Sequence, residues 1–191
     1  MNYIILISVL LLSFCHQNPV LASKQSRVDP LADKVTAETA KKIKNETGLH
    51  LMGTGGGVNL EGRLRKLNMS FIHYGDLSME ESRELVVYCV EEYLAAINAD
   101  EKIRPHLSHY PFTPYGVEIN IFIRQKDRQK QSIGYISVVS ELNGKVSYKT
   151  SQPEPELMKK VHAEPYEEAK QLVKQQDPGM KRIKLIRENS S

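Results

Sequence analysis

Residues 78–98 constrain this chain more than any other stretch. They open with Ser78-Met79-Glu80-Glu81, a capping box in which the Ser78 hydroxyl can accept the Glu81 backbone N–H while the Glu81 carboxylate reaches back to the Ser78 N–H. Behind that start, Leu85, Val86, Cys89, Val90, Tyr93, Leu94 and Ile97 recur at helical spacing, with Glu84, Glu91 and Glu92 outside the stripe. An apolar stripe this broad has to be covered, so the segment predicts the main core helix of a folded domain.

The material to cover it is nearby. Residues 64–74 alternate, with Leu67, Met69, Phe71 and His73 on one face and Asn68, Ser70, Ile72 and Tyr74 on the other, the period of a strand. Beyond the helix, Val117, Ile119, Ile121 and Ile123 alternate with Glu118, Asn120, Phe122 and Arg124. A polar loop (125–132) leads to a third strand over 133–142. Asn143-Gly144 then marks a two-residue hairpin, because both residues tolerate positive φ, and a fourth strand follows over 145–150. Pro153 and Pro155 end the sheet, and a helix over 165–175 turns Tyr166, Ala169, Leu172 and Val173 inward.

On the N-terminal side, residues 31–45 read as a helix with a thin stripe of Leu31, Val35, Thr39 and Ile43, stopped at Gly48 and lying at the periphery. Gly53-Thr54-Gly55-Gly56-Gly57 reads as a flexible connector. The expected architecture is therefore a two-layer α+β fold. An antiparallel four-stranded sheet, in β-α-β-β-β order, packs on one long helix, with peripheral N- and C-terminal helices. The single α+β domain is expected over 53–176, after a polar leader and peripheral helix over 23–52 and before a basic tail over 177–191.

Residues 1–22 have the layout of a secretory signal peptide. The apolar run from Ile4 to Phe14 is broken only by Ser8 and Ser13, Pro19 interrupts it, and Val20-Leu21-Ala22 precedes Ser23. The run is too short to span a bilayer, which takes about 20 apolar residues. Export, to a periplasmic or secreted destination with no transmembrane segment after cleavage, is the expectation. A lipid-bearing Cys15 would need a small residue before it, and Phe14 stands there. Cleavage removes Cys15, so Cys89 is the one thiol left and no internal disulfide can form.

Composition is that of a globular protein, 40% hydrophobic and 26% charged with a formal net charge of +3, too weakly basic for a dedicated nucleic-acid binder. No nucleic-acid partner and no cofactor is expected. The Gly53–Gly57 run precedes a strand and lacks a following Lys-Ser/Thr, so it does not read as a phosphate loop. Cys89, mid-helix on the apolar face, reads as structural rather than nucleophilic. No Gly-x-Ser-x-Gly and no His-Glu-x-x-His occurs.

The least generic stretch is 103–115. Pro105, Pro111 and Pro114 stiffen it, and Tyr110, Phe112 and Tyr115 give it large rigid contact groups. Arg104, His106, His109, Tyr110, Phe112 and Tyr115 are the candidate binding residues. The bland reading of the segment is a packed connection over the end of the long helix, with Arg104 bonded to a carboxylate or to carbonyls. A metal-dependent or hydrolytic reading would recruit His106, His109 and Glu118, and no metal site is assigned. In the basic tail, Lys181, Arg182, Lys184 and Arg187 are mixed with Ile183, Leu185 and Ile186 and offer weak contact with an anionic membrane.

Glu81-Ser82-Arg83, Ile97-Asn98, Ile103-Arg104-Pro105, Tyr110-Pro111-Phe112, Glu164 and Tyr166-Glu167-Glu168-Ala169 together resemble an uncharacterised family of exported proteins from chlamydia-related and legionella-type intracellular bacteria. The resemblance covers residues 53–173. It implies a bacterial source and a periplasmic or secreted product, and it brings no activity with it. The expectation is an exported, non-enzymatic domain that binds an envelope or host protein, with a small hydrolase or metal-dependent enzyme on the His106/His109 loop as the alternative.

Overall fold

The computed structural model describes residues 30–155 and 158–176. The segments expected to be a signal peptide and a basic tail lie outside the described residues. In chain order the elements are α1 (Pro30–Thr47), β1 (His50–Val58), β2 (Leu64–Tyr74), α2 (Met79–Ala99), β3 (Val117–Arg124), β4 (Ile136–Leu142), β5 (Lys145–Ser151), β6 (Met158–Pro165) and α3 (Tyr166–Gln176). Two single-turn 3-10 helices, Arg104–His106 and Pro114–Gly116, lie between α2 and β3.

The capping box forms as its residues dictate. The Ser78 Oγ accepts the Glu81 N–H at 3.1 Å, and Glu81 Oε2 accepts the Ser78 N–H at 2.8 Å. The helix it starts is more deeply enclosed than its stripe implied, since Ser82, Arg83 and Glu84 are buried along with Leu85, Val86, Cys89, Val90, Tyr93 and Ile97. Glu84 was expected on the solvent side. It is enclosed because α2 has the sheet beneath it and a helix on each flank.

Both flanking helices are tied to α2 by polar bonds. On one side Thr36 Oγ1 meets Tyr93 OH at 2.6 Å and Lys42 pairs with Glu92 at 2.6 Å. On the other, Tyr166 OH donates to Glu91 Oε1 at 2.7 Å. The N-terminal helix is thus no peripheral addition: Ala32, Val35, Ala40 and Ile43 belong to the same core as Leu85, Val90, Phe71 and Ile121. Gly48 closes it with an N–H to the Lys44 carbonyl.

The sheet is six-stranded and mixed, in the order β1-β2-β3-β4-β5-β6. This corrects the expected four-stranded antiparallel sheet. Strands β2 and β3 are parallel, with Leu67 beside Val117 and His73 beside Ile123, because α2 carries the chain back across the sheet before β3 begins. The other neighbours are antiparallel. β1 occupies the glycine run that was expected to be a loop, and β6 adds a strand beyond Pro153 and Pro155, which were expected to end the sheet.

One sheet face holds the core: Leu67, Met69, Phe71, Val117, Ile119, Ile121, Val139, Val146 and Tyr148 lie against the helices. At the β4–β5 turn Asn143 and Gly144 have φ of 55° and 74°, as the hairpin signal required.

Candidate functional site

The Pro/aromatic segment is brought together, but as a packed connection. Ile103, Leu107 and Phe112 are buried. Asn98 at the end of α2 clamps Phe112 from both sides, its Oδ1 accepting the Phe112 N–H at 2.6 Å and its Nδ2 donating to the Phe112 carbonyl at 2.9 Å. The Phe112 ring stacks on His109 at 5.1 Å and fills the space where Gly116 lacks a side chain. Ser108 donates its N–H to the Leu64 carbonyl, fixing the segment to the start of β2. Phe112 is therefore packed as a core residue, whereas the other candidate contact residues Arg104, His106, His109, Tyr110 and Tyr115 are not buried.

Arg104 and Tyr110 remain exposed but engage each other, the guanidinium lying 4.5 Å from the ring centroid. Tyr115, also exposed, lies over Gly144. His109 is held through Nδ1 by Ser108 Oγ at 3.1 Å, and His106 lies exposed in the first 3-10 turn. Glu118 accepts from Asn120. Among the described residues no three His, Cys, Asp or Glu side chains gather in a metal-holding group, so His106, His109 and Glu118 do not converge. Burial pushes the Cys89 thiol well above its ordinary range, which fits an inert core residue.

The face of the sheet away from the helices is left uncovered by the described residues. Its rows follow from the register. Across the middle run Ser70, Asn120, Ser140 and Ser147, with the two serine hydroxyls bonded at 3.1 Å. The next row holds Ile72, Phe122, Val138, Lys149 and Lys160. Where that row approaches the ends of β3 and β5, the surface sinks into a groove of about 450 Å³. Phe122, Ile133 and Met158 give it apolar walls, Arg124 and Lys130 supply positive charge, and Glu154 is the carboxylate on its lining.

A rigid frame holds this groove. The loop after β3 folds back on itself through a bridge between Arg124 and Lys130 and the bond from the Gln125 N–H to the Gln129 carbonyl. Buried Gln131 anchors it by donating to Asp76 Oδ1 at 2.9 Å. Gly134 donates to the Ser151 carbonyl, tying the loop to β5. A second, shallower hollow shares Gln131 and adds Lys126 and Tyr135. Three large apolar side chains stand exposed around these two hollows: Ile133 at 63%, Tyr135 at 53% and Met158 at 47%.

None of the candidate binding residues Arg104, His106, His109, Tyr110, Phe112 and Tyr115 lies on this groove. Ile133, expected to begin a strand, precedes β4, which begins at Ile136, and Met158 lies on β6, beyond the expected end of the sheet. The available signal was the basic run Arg124, Lys126, Arg128 and Lys130 directly before Ile133 and Tyr135.

A second polar cluster lies on the helix side. Arg83 Nε meets Glu164 Oε1 at 2.8 Å, Tyr148 OH donates to the same oxygen, and His162 Nε2 stands 3.5 Å from Glu164 Oε2. Burial alone would push the Glu164 carboxyl up, but the bonds from Arg83 and Tyr148 hold it below its ordinary value. With Arg83, Glu164 and Tyr148 all buried, this arrangement pins β6 to the first turns of α2.

No described helix is long and apolar enough to cross a membrane. No protein-family model, no curated protein and no solved structure matches this chain.

Proposed function

We propose that the protein is an exported, non-enzymatic binding domain whose contact surface is the uncovered face of the sheet, centred on the groove between the ends of β3 and β5. The observation that carries this reading is the gathering of exposed Ile133, Tyr135 and Met158 beside Arg124, Lys126 and Lys130 on a rigid frame. Apolar side chains left in water around a concave site favour a ligand that covers them. The cations set its charge, because the groove lining carries Arg124 and Lys130 against the one carboxylate of Glu154, and Lys149 and Lys160 continue the positive character along the same face. The ligand that fits is an extended protein segment carrying carboxylates next to apolar side chains. Export rests on the layout of residues 1–22.

Selection of a random peptide library on the immobilised chain tests this reading. Recovered peptides are expected to combine Asp or Glu with apolar residues, and to lose at least tenfold in affinity to Ile133→Asp and to Lys130→Glu. Tyr110→Ala and Tyr115→Ala should leave their binding unchanged. Peptides that bind both groove variants normally, or no recovery at all, would overturn it.

A further inference from the structure

We propose that the groove receives the C-terminal end of its protein partner, the terminal carboxylate lying between Arg124 and Lys130 and the last side chain against Phe122, Ile133 and Met158. This rests on the reading of the groove as the contact surface and names the part of the partner that enters it. Arg124, Lys130, Phe122, Ile133 and Met158 all line the groove.

The shape of the groove comes from one short crossing. Lys130 forms an antiparallel bridge with Arg124 on β3, and Ile133 forms a parallel bridge with Ser151 on β5. Strand β4, which separates β3 from β5 across the rest of the sheet, begins only at Ile136. Residues 130–133 therefore cross from β3 to β5 at the head of the groove. The crossing is fixed by side-chain and backbone bonds. Gln131 donates to Asp76 Oδ1 at 2.9 Å, Gln125 Nε2 to Ser132 Oγ at 2.9 Å, and the Gly134 N–H to the Ser151 carbonyl at 3.2 Å. A chain laid over the uncovered face from the polar row of Ser140 and Ser147 meets this wall and stops. A volume of about 450 Å³ suits the last residues of a chain and not a segment that runs through.

The charge at the wall is unbalanced. Opposite partners in an antiparallel bridge project to the same face, and like charges set opposite each other repel. Arg124 and Lys130 are such partners, and among the described residues neither forms an ion pair, even with Glu154 on the same lining. An anion between them replaces the repulsion with two attractions, and a guanidinium takes a carboxylate through paired N–H bonds. The C-terminal end of a chain supplies that anion on the same residue as its last side chain, so charge and apolar contact arrive together. An N-terminal end would bring an ammonium group to two cations. An internal Asp or Glu would need the chain to continue past the crossing.

Three pools of N-terminally fluorescein-labelled pentapeptides, with uncharged residues at every randomised position, test the proposal by anisotropy against the full chain. One pool ends in Leu with a free carboxylate, one in Leu carboxamide, and one in Leu carboxamide preceded by Glu. The free-acid pool is expected to bind at least tenfold tighter than either amide pool. Its binding should fall at least tenfold in Arg124→Gln and in Lys130→Gln, with circular dichroism unchanged, and should be lost in Ile133→Asp. Equal binding of the Glu-containing amide pool, still lost in Ile133→Asp, would overturn capture of the chain end and leave the groove as the contact surface. Binding of the free-acid pool that survives both Arg124→Gln and Lys130→Gln would overturn it as well. Absence of any binding that depends on Ile133 would overturn both readings.

Discussion

Two inward-facing ionisable side chains give opposite responses to pH. His73, at the end of β2, is 3% exposed, and burial lowers its pKa to about 4 against the pull of Glu81 and Asp76. Glu141, on β4, has no exposed surface. Burial raises its pKa to about 7, although Oε1 accepts the Gly144 N–H at 2.7 Å, which opposes the rise. Its Oε2 has no hydrogen-bond partner among the described residues.

Because the folded histidine resists protonation, its contribution to stability is complete above the unfolded value near 6.5 and is lost as pH falls through 4. The glutamate does the reverse. It binds its proton more tightly when folded, so stability is greatest below the unfolded value near 4.5 and declines as pH rises to about 7. Each amounts to roughly 3 kcal/mol, and between pH 4.5 and 6.5 they largely cancel. Urea denaturation across that window should therefore show a shallow dependence in the parent chain. Stability should rise with pH in Glu141→Gln, where the histidine acts alone, and fall with pH in His73→Phe. Parallel profiles for all three would contradict this assignment.

Single elements are held by a few identifiable contacts. Strand β6 depends on the buried Arg83–Glu164 pair, so Arg83→Met, which leaves that carboxylate buried without its cation, should cost about 3 kcal/mol or more in urea denaturation. Adding Glu164→Leu should recover much of the loss, since no charge is then left buried. The loop 103–116 depends on Phe112. A methyl group at Gly116 would stand 2.6 Å from the Phe112 ring, so Gly116→Ala should cost about 1–3 kcal/mol by overpacking. Tyr110→Ala and Tyr115→Ala, on the exposed side, should each cost less than about 1 kcal/mol in the same measurement.

These elements also show what was legible in the chain. Strands β2 and β3, helix α2 and the β4–β5 hairpin announced themselves, because β2 and β3 alternate apolar with polar side chains and α2 and the hairpin carry clear end signals in the Ser78 box and Asn143-Gly144. Strand β1 was hidden because glycine carries no side chain to alternate. Strand β6 was hidden because an edge strand with Met158 to His162 exposed has no buried face to reveal. Missing both narrowed the sheet from six strands to four. The parallel pairing of β2 and β3 was implicit in the strand-helix-strand order, which the short turns elsewhere obscured. The candidate groove escaped for a related reason: it joins Phe122, Ile133 and Met158, which meet through strand order and not through any local period.

At the scale of the whole molecule, the governing feature is asymmetry. Three helices pack on one face of the sheet and tie themselves to each other through Tyr93, Glu91 and Glu92, while no described element covers the other face. The uncovered face is nonetheless kept orderly by its small polar middle row. The apolar and basic groups are displaced to one end, where a loop pinned by Gln131 shapes the groove. The Pro/aromatic segment lies by the start of β2, whereas the groove lies by the ends of β3 and β5, so binding at one is separable from binding at the other.

A backbone amide chemical-shift map of the full chain, titrated with a peptide selected for acidic and apolar residues, uses that separation. The account predicts shifts concentrated at Phe122, Arg124, Ile133, Ser137 and Ser151, weakened by salt and abolished by Ile133→Asp. Shifts centred on Tyr110 and Tyr115, or a titration that moves no amide around the groove, would contradict it.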